Sequence, residues 1–124
     1  MIRTLDEKKW VKVGDAEFQL RFISRKEWRR ISAGFSALQL VEGASSEERL
    51  NQSLKLMDYY NDLVMLGVCD HKGIVVDGKD FKFSLIDNKV PQDLVDFYDL
   101  NKFLVPLGAE IISFNSLTDD SKKN

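Results

Sequence analysis

Between Lys8 and Ile23 the chain reads as two extended runs around a turn. Trp10-Val11-Lys12-Val13 is followed by Gly14-Asp15-Ala16, and Glu17 to Ile23 then alternates strictly. Phe18, Leu20 and Phe22 share one face and Glu17, Gln19 and Arg21 the other, the period of a half-buried strand. The pattern predicts a β-hairpin whose aromatic face must lie on something else, because a lone hairpin is marginal in water. The period then changes. Ser24-Arg25-Lys26-Glu27 fits a capping box. Trp28, Ile31, Phe35 and Leu38 recur at helical spacing, with Arg25, Lys26, Arg29 and Arg30 on the opposite arc. A helix is predicted from about Arg25 to Val41, with Gly43 just beyond its end.

Ser45-Ser46-Glu47-Glu48 repeats the capping signal, and the run after it meets no proline before Cys69. Leu50, Leu54, Met57, Val64 and Val68 form one stripe; Leu56, Tyr60 and Leu63 form an adjacent one. Asn51, Lys55, Asp58 and Asp62 leave only a narrow polar face. So broad an apolar arc predicts a central helix, from about Ser46 to Cys69, contacted on several sides. Asp70-His71-Lys72-Gly73 breaks it. Asp77-Gly78, between Ile74-Val75-Val76 and Phe81-Lys82-Phe83, predicts a second, short hairpin. Pro91 can open a further helix carrying Leu94, Phe97, Tyr98, Leu104 and Val105, which Pro106 must end or kink. Leu107 to Leu117 reads as a last short helix. The predicted fold class is α+β: a mainly helical single domain spanning residues 1–124, with an N-terminal β-hairpin and a short second hairpin after the central helix. Residues 1–7 and 118–124 are expected to fray.

A chain of 124 residues suits one core. Eighteen Lys+Arg against 20 Asp+Glu leave a net charge of −2, too small a field to draw nucleic acid or an anionic membrane to the whole molecule. No stretch approaches about 18 apolar residues, the length of a membrane span. Met1 to Glu7 lacks the apolar core of a secretory signal. The single cysteine, Cys69, allows no internal disulfide and suits a reducing compartment, so the cytoplasm is the expected location.

The familiar catalytic patterns are missing. One histidine, His71, excludes paired-imidazole zinc chemistry. Cys69-Asp70-His71 lies too close together along the chain to converge on a common centre, so neither residue is assigned a catalytic or metal role. The aspartates at 77, 80 and 87 lack calcium-loop spacing. Asp93, Asp96 and Asp99 read as a solvated helix edge. No glycine-rich phosphate loop or nucleophile elbow occurs. The expectation is a non-enzyme without cofactor or metal. The aromatic count, eight Phe, three Tyr and two Trp, mostly serves a core. The crowding of Trp10, Phe18, Phe22, Trp28 and Phe35 in the first third nevertheless suggests a docking patch. Trp10, Arg25, Trp28, Arg29 and Arg30 are its candidate protein-binding residues, since Trp and Arg are favoured at hot spots. Trp10, near a strand start, is the better candidate for exposure; the stripe carrying Trp28 faces the core.

Val13-Gly14-Asp15-Ala16-Glu17-Phe18-Gln19-Leu20-Arg21-Phe22 followed by Ser24-Arg25-Lys26-Glu27-Trp28 resembles the opening of small tail assembly chaperones of long-tailed bacteriophages. Their opening hairpin carries a glycine and then an aromatic-x-Leu-Arg-Phe run, here Gly14 and Phe18-Gln19-Leu20-Arg21-Phe22, and leads into a helical body. The resemblance covers about the first 30 residues; Ile74 to Phe83 departs from it. It implies a cytoplasmic protein that binds another protein, a tape-measure or tail component, and holds it soluble until the tail tube polymerises. It implies no catalytic residue, no nucleic acid and no membrane, and it is compatible with a homo-oligomer. The alternative is a small structural virion component of the baseplate or tail connector. A nucleic-acid-binding regulator or small enzyme has less in its favour.

Overall fold

The structure is a computed structural model in which residues 2–36 and 43–116 are described. It has the expected α+β composition, four helices with a three-stranded and a two-stranded sheet. Strands β1 (Lys8–Val13) and β2 (Ala16–Arg21) pair antiparallel about Gly14-Asp15, with Val13 opposite Ala16. The alternation holds: Val11, Ala16, Phe18 and Leu20 are buried on one face. A third strand, β3 (Val68–Lys72), pairs with the free side of β2, giving the order β1-β2-β3.

Sequence reading missed β3 and took residues 68–72 for a helix end and a break. A bulge disguises the strand. Gln19 faces Asp70 while Leu20 faces Val68, so Cys69 is an extra residue. In a regular strand, residues three apart point to opposite faces. The bulge lets Val68 and His71 both enter the core.

Helix α1 (Arg25–Ser36) starts after Ser24, whose Oγ accepts the Glu27 N–H at 3.2 Å. Ile31 is buried and Trp28 packs against the core. The Phe35 side chain, Leu38 and Val41 lie outside what is described. Helix α2 (Ser46–Gly67) carries the full capping box. The Glu48 N–H donates to Ser45 Oγ at 3.1 Å, and the Ser45 N–H donates to the Glu48 carboxylate at 3.0 Å. Its C-terminal half is central, with Leu63 and Val64 buried, but the expectation for its N-terminal half is corrected. Leu50 and Leu54 are 59% and 56% exposed, because the sheet and the later helices meet only the last turns. The helix stops at Gly67, two residues earlier than expected.

Strands β4 (Val75–Val76) and β5 (Lys79–Asp80) form the predicted second hairpin. Asp77 and Gly78 both have positive φ, 52° and 77°, the backbone a tight two-residue hairpin turn demands. Helix α3 (Gln92–Leu100) begins directly after Pro91. The helix expected to run on to Pro106 ends instead at Leu100. Asn101 Nδ2 donates to the Phe97 carbonyl at 2.8 Å, and Lys102 takes φ 65°. Helix α4 (Leu104–Asn115) then starts with Pro106 in its first turn, where a missing N–H costs nothing. Leu117 and residues 118–124 lie outside the described residues.

Helices α2 and α4 touch closely. A Cβ on Gly108 would lie 2.2 Å from the Tyr60 ring, and one on Gly67 would lie 2.8 Å from Ile111. The carboxyl end of α4 is met by two arginines. Arg25 donates to the Asn115 carbonyl at 3.2 Å, and Arg3 to the Phe114 carbonyl at 3.4 Å. Cations belong at that end of a helix dipole. Arg3 also pairs with Glu7 at 2.9 Å and lies over the Phe22 ring. These contacts join Arg3 to the end of α4 and to the Phe22 ring.

Leu63→Ala should cost about 2–5 kcal/mol, the range for a buried leucine that leaves a cavity. Leu54→Ala should stay within about 0.5 kcal/mol, as at an ordinary surface position. Urea unfolding of both variants checks this; equal losses would show that the two halves of α2 are buried alike.

Candidate functional site

The sheet has one face on the helices and one turned away from them. On β1, Lys8, Trp10 and Lys12 alternate with the buried Val11 and are exposed. Register aligns Trp10 with Gln19 and Asp70, and Lys12 with Glu17 and Lys72. Lys72 Nζ sits 4.3 Å from the centre of the Trp10 ring and 3.6 Å from the Glu17 carboxylate. Trp10 is thus a large aromatic held in place by a cation on an open face, 37% exposed.

The other candidate binding residues are elsewhere. Arg25 is engaged within the fold. Its guanidinium donates to the Asn115 side chain at 2.8 Å and to the carbonyls of Asn115 and Ile23 at 3.2 Å. It also lies over the Phe22 and Trp28 rings. Burial, then the neighbouring Arg29 and Arg3, push its pKa down. Trp28 is half-buried against the core. Arg29 and Arg30 are exposed, and Arg30 pairs with Glu27 at 2.8 Å. The five residues therefore divide between the outer sheet face, which holds Trp10, and the α1 segment, which holds the rest.

Cys69 and His71 do not converge. The Cys69 thiol lies 3.5 Å from the carbonyl and side-chain oxygens of Gln19, and burial raises its pKa. His71 points the other way, into a cage of Phe18, Phe81, Phe83 and Tyr98 rings. Its Nε2 contacts the Phe81 carbonyl and its Nδ1 the Tyr98 hydroxyl, both at 2.5 Å. A carbonyl only accepts, so Nε2 carries a proton there, while at Nδ1 the Tyr98 hydroxyl can serve as donor or acceptor. Burial pushes the Tyr98 pKa well up, keeping its hydroxyl protonated. Every polar atom of the histidine is satisfied within the core. Among the described residues no three His, Cys, Asp or Glu side chains cluster as metal ligands. Asp93, Asp96 and Asp99 are exposed along α3. No described helix is long and apolar enough to cross a membrane.

A second surface went unread in the sequence. Between the β4–β5 hairpin and the end of α3 lies a groove of about 660 Å³ lined by Val75, Val76, Phe97, Leu100 and Phe103. Val75 is 59% exposed and Leu100 82%. The available signal was the run Ile74-Val75-Val76, since a two-residue ladder cannot bury three successive apolar side chains.

Comparison with known proteins returns no matching family model, curated protein or solved structure.

His71→Ala should lower stability by about 2–6 kcal/mol, since it strips partners from the Tyr98 hydroxyl and the Phe81 carbonyl at about 1–3 kcal/mol each. Urea unfolding gives the size; a loss under about 0.5 kcal/mol would mean that water replaces the imidazole freely. The raised Cys69 pKa predicts slower reaction with a disulfide reagent at neutral pH in the folded chain than in urea. Equal rates in the two states would place the thiol in open solvent.

Proposed function

We propose that this chain is a non-enzymatic, protein-binding assembly factor of the kind represented by small tail assembly chaperones of long-tailed bacteriophages. It holds a tail component in the host cytoplasm before the tail tube polymerises. The observation that supports this reading best is Trp10. A tryptophan is costly to leave in water, and this one stands on an uncovered sheet face, oriented by Lys72. Pre-ordering an aromatic anchor lowers the entropy lost on docking, and tryptophan is the residue most enriched at binding hot spots. The surrounding Lys8, Lys12, Glu17 and Asp70 supply a polar rim. Such a holder needs apolar surface for its client and no chemistry of its own. That agrees with a lone histidine and a lone thiol directed to opposite sides of β3.

Trp10→Ala should retain the circular dichroism spectrum and lose the cognate tail protein in a pull-down from infected cells, by about tenfold or more in affinity. A folded variant that keeps full affinity would remove the sheet face from the interface. Mass spectrometry of purified particles separates holder from building block. A holder is missing from them, whereas a fixed copy number would make the protein a virion component.

A further inference from the structure

We propose that the groove between the β4–β5 hairpin and the end of α3 is a docking site for an amphipathic segment of a partner protein, apolar on one side and lysine- or arginine-rich along its flank. The proposal rests on the protein-binding reading above but uses a surface distinct from the Trp10 face.

The groove's size, about 660 Å³, falls within the usual range for pockets that engulf a ligand, about 300–1,000 Å³. Its lining joins aliphatic and aromatic side chains to Asp15, Asp77 and Asn101, and Val75 and Leu100 stand at its sides largely in solvent. Isolated exposed leucines are ordinary on a protein surface; several gathered round one concavity mark an interaction site. The charged residues in the lining are Asp15 and Asp77, and it contains no lysine or arginine. Two carboxylates beside an apolar trough favour a cationic flank on the occupant and oppose an anionic one.

The walls are preformed. Ile74 is buried, and the Phe81 N–H donates to its carbonyl at 2.8 Å. The Phe81 ring packs 4.5 Å from Phe97, and its carbonyl is held by His71. Phe103, on the opposite wall, packs 5.3 Å from the buried Phe18. The occupant therefore meets a shaped surface rather than having to order one. An amphipathic helix laid into an apolar groove, with anchors about a turn apart, is the mode this geometry fits.

The test uses the full chain and two fluorescein-labelled helical peptides of about 18 residues. Both carry leucines at i, i+4 and i+7, one with lysines on its flanks and the other with glutamates, and anisotropy reports binding. The lysine peptide should bind about tenfold or more tighter than the glutamate peptide. Val75→Ser with Leu100→Ser, both at exposed positions, should abolish binding. Asp15→Asn with Asp77→Asn should remove most of the discrimination between the peptides; asparagine tolerates the positive φ at position 77. Trp10→Ala should leave peptide binding unchanged, so that failure here is distinct from failure of the sheet-face reading. Equal affinity for the two peptides, or no binding of the lysine peptide, would overturn the proposal. So would loss of binding in Trp10→Ala alone. Self-association of the chain that Leu100→Ser abolishes would instead assign the groove to a second copy, and would equally overturn it.

Discussion

The fold turns on a histidine used as a two-sided connector. His71 reaches from β3 to Tyr98 of α3 on one side and to the Phe81 backbone on the other. An imidazole in an aromatic core is tolerable only when both nitrogens are satisfied, because an unpaired buried polar group costs about as much as a net hydrogen bond contributes, or more. Here Nε2 meets a backbone carbonyl and Nδ1 a tyrosine hydroxyl, so each ring nitrogen has a partner. The consequence extends beyond stability. Phe81 follows the second hairpin directly, so the connector fixes how that hairpin lies against α3. That in turn sets one wall of the apolar groove.

The connector depends on the bulge at Cys69. In a regular strand of the same sequence Val68 and His71, three residues apart, would face opposite sides of the sheet, and either the core would lose a valine or the histidine would point into water. The bulge also turns the thiol outward onto Gln19. One irregularity thereby separates the two residues most readily mistaken for a catalytic pair. On the far side of the core, Gly67 and Gly108 admit Ile111 and Tyr60 at distances no side chain would allow. Dense packing of this kind leaves little room for adjustment, and the arginines at the carboxyl end of α4 complete the seam.

Among the described residues, the aromatic core and the exposed apolar surface lie in different places. The aromatic residues that crowd the first third mostly serve packing: Phe18 lies at the centre of the ring cluster and Phe22 stacks on Phe114. Arg25, which composition made attractive for a partner, spends its donors on Asn115 and Ile23. Among the described residues, apolar surface is left open at Trp10 on the outer sheet face, in the groove beside α3, and also at Leu50, Leu54 and Ile86. The sheet face and the groove differ in character, the first cation-flanked and the second carboxylate-flanked.

Local rules carried the sequence reading far. Period-two alternation marked β2, Asp77-Gly78 marked the second turn, and Ser45 with Glu48 marked the start of α2, because each is a contest among a few neighbouring atoms that the residues themselves settle. Exposure of Trp10 was expected from its place near a strand start, and the residue is 37% exposed. Other features depended on contacts distant in the chain. That residues 68–72 pair as a strand is decided by the free edge of β2, some fifty residues earlier. That Leu54 is exposed while Leu63 is buried is decided by where the sheet and α4 end against α2, although periodicity treats the two leucines alike. The break at Asn101 to Phe103, ahead of Pro106, lets Phe103 pack onto Phe18 while α4 turns back along α2. Propensity along the chain could determine which segments became helix or strand. Only tertiary packing could decide which apolar faces were covered, and an interface is made from those left uncovered.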